Sequence, residues 1–82
     1  MTHHPRTIRA LNDSSAAREL LVTLTTLLGG EPVIEPPGGF PAWWGVHDTD
    51  GGDILGASVS LAEALSEAVE VARGWEAGQS QR

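Results

Sequence analysis

Apolar residues recur along this chain with two periods, and the change between them divides it into elements. Ala17, Leu20, Leu21, Leu24, Leu27 and Leu28 return every third or fourth position, which places them on one face of a helix. Arg18, Glu19, Thr23, Thr25 and Thr26 fill much of the other side, with Val22 the exception. Asp13, Ser14 or Ser15 can cap this helix by accepting a bond from a free backbone N–H. Gly29-Gly30 ends it, because glycine accepts the left-handed conformation that closes a helix. A second helix follows from "SLAEALSEAVEVARGW", with Leu61, Leu65, Ala68, Ala72 and Trp75 on the apolar face, Ala64 and Val71 beside it, and Trp75 closing the core. Ser60 and Glu63 have the spacing of a capping box.

Between the helices the pattern shortens. "EPVIE", "AWWGVHD" and "DILGASV" are strand candidates, rich in branched and aromatic residues. Pro32 lacks an N–H, so the first strand belongs at a sheet edge. "PPGGFP" reads as a surface loop, with Phe40 as an anchor on it or a plug folded back. Asp50-Gly51-Gly52 fits a tight hairpin between the other two strands. Residues 1–12 show no periodicity and read as a flexible arm, residues 13–76 as a single domain, and residues 77–82 as a flexible tail. The order helix, strand, strand, strand, helix predicts an α+β fold. It is a small two-layer sandwich, with an antiparallel three-stranded sheet and both helices on one face.

Charge sharpens this picture. The 82 residues carry a net charge of −6, with no cysteine, lysine or tyrosine. Residues 1–18 hold three arginines and one aspartate, and residues 19–82 hold two arginines and ten carboxylates. An acidic body repels phosphates and favours basic partner surfaces. Without cysteine there are no disulfides or thiolate metal sites. No run of about 20 apolar residues exists to span a bilayer, and the first residues lack the apolar core of a secretory signal. A cytoplasmic protein without a membrane partner is expected.

The stretch "HDTDGGD" raises the question of a metal. A calcium loop needs oxygen ligands at its first, third and fifth positions, then a glycine, and a glutamate at the twelfth. Counted from Asp48, the fifth position is Gly52, the sixth is Asp53 and the twelfth is Val59, so the pattern fails. His47 and Asp48 are neighbours on a strand and point to opposite faces. The stretch therefore reads as a solvated acidic turn, with no metal or other cofactor expected. His47 is the one ordered candidate base, and no serine motif or phosphate loop accompanies it. Catalysis is not expected.

Binding is the remaining chemistry. Trp43 and Trp44 are consecutive on a strand, so one should face the helices and the other should not. The outward one is either an interface anchor or packed under the proline loop. Glu63, Glu67 and Glu70 line the outer side of the second helix, and Asp48, Asp50 and Asp53 crowd the hairpin. These carboxylates read either as a solvated surface or as an imitation of a run of phosphates that occupies a basic groove. The helix–three-strand–helix order is also that of double-stranded RNA-binding domains. Their second helix begins with phosphate-gripping lysines, whereas this one presents glutamates, so direct nucleic-acid binding is not expected.

The stretch from "SSAARELL" through "WWGVHDTDGG" to "SVSLAEALSEAVEVA" resembles the phage ABA-sandwich domain family over roughly residues 14–74. It departs from that pattern by the "EPPGGFP" insertion and by lacking an aromatic-rich N-terminal segment. "DTDGG…SVSLAEALSEAVEVA" is also similar to HicB-type antitoxins, although their strand order differs. The first resemblance implies a small phage or mobile-element protein that binds a host factor in the bacterial cytoplasm. The expectation is a non-enzymatic inhibitor or modulator of a host protein with a basic surface. Its sharpest form is an anti-CRISPR-like protein that occupies a nucleic-acid-binding surface. Partner contact is expected through Trp43, Trp44, Asp48, Asp50, Asp53, Glu63, Glu67 and Glu70. The alternative is a structural module that forms a homodimer through its sheet edge and exposed tryptophan.

Overall fold

A computed structural model describes residues 3–39 and 42–80, with side chains described as far as Trp75. Phe40, and with it the anchor-or-plug question, lies outside the described residues. The elements in chain order are α1 (Pro5–Asn12), α2 (Ser15–Leu28), β1 (Val33–Glu35), β2 (Trp44–His47), β3 (Ile54–Ser58) and α3 (Leu61–Ser80). The strands form an antiparallel meander in the order β1-β2-β3. α3 packs on β2 and β3, α2 packs on α3, and α1 packs on α2. The fold is the expected α+β sandwich, with one helix more than expected.

That additional helix corrects the reading of residues 1–12 as a structureless arm. Pro5 stands in its first turn, where its missing N–H costs nothing. The His4 Nδ1 caps it by accepting from the Arg6 N–H at 3.1 Å. Thr7 and Leu11, one turn apart, are both buried. The Arg18 guanidinium donates to the carbonyls of Leu11 (2.7 Å) and Asn12 (3.0 Å), which satisfies oxygens left free at the end of α1.

α2 begins and ends as its sequence indicates. Ser14 is the cap, its hydroxyl oxygen accepting from the Ala17 N–H at 3.1 Å, and Gly29 closes the helix at φ 75°. Ala17 and Leu24 are buried, and Leu20, Leu21, Leu27 and Leu28 pack around them. α3 buries Leu61, Ala64, Leu65, Ala68, Val69 and Ala72. Two expectations for this helix need correction. Trp75 is 40% exposed and does not close the core, and Val69 is buried where Val71 is exposed. Trp75 keeps the angular position of the buried stripe, between those of Ala64 and Ala68, but stands one turn beyond Ala72, the last buried residue of α3 among the described residues. The helix also continues to Ser80, through the first residues of the expected tail. At its start the Ala64 N–H bonds the Ser60 carbonyl at 3.0 Å. No Ser60–Glu63 side-chain bond of a capping box is made among the described residues.

The sheet register separates its two faces. Ile34, Val46 and Gly56 stand opposite one another across the three strands and form the inner face. The next row, Glu35, Gly45 and Ala57, faces outward. Val46 pairs with Gly56 but His47 pairs with Ile54, so Leu55 is an extra residue in β3, a β-bulge. The bulge explains why the consecutive Leu55 and Gly56 are both buried. Gly56 is also where α3 comes closest: a Cβ there would collide with the Ala64 carbonyl and lie 3.0 Å from the Ala68 nitrogen.

Candidate functional site

The hairpin between β2 and β3 is a six-residue loop, Asp48–Asp53, and not the tighter turn expected across Asp50-Gly51-Gly52. The Asp48 N–H bonds the Asp53 carbonyl at 2.9 Å, and the Gly51 N–H bonds the Asp48 carbonyl at 2.9 Å. Gly51 adopts φ 78°, which glycine alone tolerates freely. Two of the three aspartates turn a carboxylate oxygen to their own loop. Asp48 Oδ1 accepts from the Thr49 N–H at 2.7 Å, and Asp50 Oδ1 accepts from the Gly52 N–H at 2.9 Å. Among the described residues no three His, Asp or Glu side chains converge as metal ligands. The loop also leans on the start of β1: a Cβ on Gly51 would touch Val33, and one on Gly30 would touch Thr49.

The α3 carboxylates divide by role. Glu63, Glu67 and Glu70 recur at intervals of four and three, which aligns them on one side of the helix. All three are exposed. Glu67 Oε1 accepts from the Ala57 N–H at 3.3 Å, so it lies over β3, an edge strand of the sheet. Glu63 and Glu70 lie one turn to either side of it. No arginine pairs with any of the three among the described residues.

The tryptophans separate as strand alternation requires. Trp44 pairs with Ser58 at the end of β2 and packs against the core. Trp43, immediately before the strand, is 52% exposed. It has the alternation of the outer face, where Glu35 and His47 also lie. His47 Nε2 stands 2.6 Å from Glu35 Oε1, a diagonal pair across β1 and β2. The His47 side chain is only 12% exposed, and its Nδ1 is buried without a partner among the described residues. Gly45 makes room for this arrangement, since a Cβ there would lie 3.3 Å from the imidazole. Nothing in the sequence announces this pair; it depends on a register that only the folded sheet defines.

A groove of about 460 Å³ runs past the start of β1, between His3 and His4 on one side and Glu31, Pro32, Val33, Ile34 and Thr49 on the other. The N-terminal segment is held there by the Arg6 guanidinium, which donates to the Pro37 carbonyl at 2.5 Å. Among the described residues no ion pair joins Glu31 to either histidine. Compared with protein-family models, curated proteins and solved structures, the chain matches none.

Proposed function

We propose that this chain is a small acidic, non-enzymatic binding protein that inhibits or modulates a protein with a basic surface. In this reading it is encoded by a phage or mobile element and acts in the cytoplasm of a bacterial host. Its target is a defence complex whose nucleic-acid-binding groove the carboxylates occupy in place of phosphates. One observation carries the reading: the exposed row of Glu63, Glu67 and Glu70, which forms no ion pair with an arginine of the described residues. Like charges aligned on a helix repel one another, and a basic partner relieves that repulsion on contact.

The test is capture from a bacterial lysate by the immobilised protein and by a Glu63→Gln/Glu70→Gln variant, washed at low and high salt. A partner with a basic groove, retained by the natural protein and lost with the variant or with salt, supports the reading. Equal capture by both proteins sinks it.

A second reading is self-association through the sheet. Trp43 is exposed and β1 is an edge strand, which favours it. The edge at β3 argues the other way, because Glu67 already takes the Ala57 N–H. Light scattering across a concentration series, with Trp43→Ala as the control, decides between these readings.

A further inference from the structure

The sheet has a helical layer on one face, and its other face carries exposed apolar side chains around the Glu35–His47 pair. Val33 and Ile54 flank His47 in one outward row. Gly45 and Ala57 form the middle of the next, and Trp43 and Val59 have the alternation of the one beyond. Ile54 and Val59 are each 66% exposed, and Val33 and Trp43 are exposed too. Half of the exposed large apolar side chains of the described residues therefore belong to this one face. Exposed apolar residues gathered on one face in this way, and not scattered over the surface, suit an interaction site.

We infer that this open face docks a basic amphipathic helix of a partner protein. The inference rests on the proposed basic partner and names where part of it sits. Charge complementarity selects the occupant. Glu35, at 67% exposure, rises from the face, and Asp53 stands at its rim beside Ile54. The acidic loop also reaches Val33 at one end. No arginine occurs in β1, β2, β3 or the loop between β2 and β3. A second copy of the chain would set the acidic loops against their equals with no arginine of the strands or of those loops between them. The footprint gives the same answer. Three strands of three, four and five residues, about 4.8 Å apart, present roughly 190 Å² in projection, against about 800 Å² per partner in a standard interface. One helix about 10 Å across covers such a face, as α3 covers the opposite one.

The probe is a synthetic amphipathic helix of leucine and lysine, about 18 residues long and so roughly 27 Å, titrated into isotope-labelled protein. Amide shifts are followed by NMR. The expected result is saturable shifts at Gly45, Ile54 and Ala57, with affinity reduced about tenfold or more by Trp43→Ala or Ile54→Asp. Both positions are exposed, so the variants fold. Three outcomes overturn the inference: shifts confined to the Glu63–Glu70 stretch of α3, equal binding of a leucine–glutamine helix, or no binding. A dimer in sedimentation that Ile54→Asp dissociates also overturns it and makes the second copy the occupant. Lysate capture that depends on Glu63 and Glu70 persists in those cases if the proposed function is right, so the two ideas fail separately.

Discussion

Gly56 of β3 and Ala64 of α3 meet backbone to backbone, with no side chain between strand and helix at that point. The contact sets the spacing of the two layers around Val46, Leu65 and Ala68, all of them fully buried. Gly56→Ala must push α3 off the sheet and is expected to cost about 3 kcal/mol. Gly74, on the exposed side of α3, has nothing within 4 Å of its missing Cβ. Gly74→Ala is expected to stabilise by about 0.5–1 kcal/mol through helix propensity. Urea denaturation of the two variants checks both signs.

Thr7 carries a different cost. Its side chain is fully buried, and its hydroxyl has no hydrogen-bond partner among the described residues. Thr7→Val keeps the branched shape and removes the unpaired group. A gain of about 1 kcal/mol in denaturant unfolding is expected, and a loss would show that the hydroxyl is satisfied in solution.

Glu67 shields the backbone of β3. Removing its carboxylate in Glu67→Ala frees the Ala57 N–H, and amide hydrogen exchange at Ala57 is expected to accelerate. Glu67→Gln retains an acceptor oxygen and should preserve most of the protection. Equal exchange in both variants would mean that the bond contributes nothing.

Glu63 and Glu70 have no such structural duty. Glu63→Gln/Glu70→Gln is expected to leave stability within about 0.5 kcal/mol, while capture of a basic partner falls about tenfold or more. Parallel thermal melts and binding assays separate the two effects.

Much of this fold is written locally. Ser14, Gly29 and the leucine stripe define α2 through contacts within a few turns, and Pro32 marks β1 as an edge. α1 escapes such a reading because eight residues are too few to hold a helix unaided. It is held by Arg18, by the burial of Thr7 and Leu11, and by a histidine cap that propensity does not suggest. Pro5 and the four-residue spacing of Thr7 and Leu11 are its only local signals. The candidate site divides in the same way. The exposure of Glu63 and Glu70 follows from helical spacing, and strand alternation requires one tryptophan to face out. Neither tells which one, because that depends on the register against β3. The bulge at Leu55, the Glu35–His47 pair and the Glu67–Ala57 bond join residues from different elements, so they appear only when the chain is closed.

The extra residue at Leu55 also works as a phase shifter. Everything from Gly56 onward keeps step with α3, and everything before Ile54 keeps step with the loop. Leu55 and Gly56 therefore both face inward while Ile54 faces out, and the glycine on which the helix rests keeps its register with Val46.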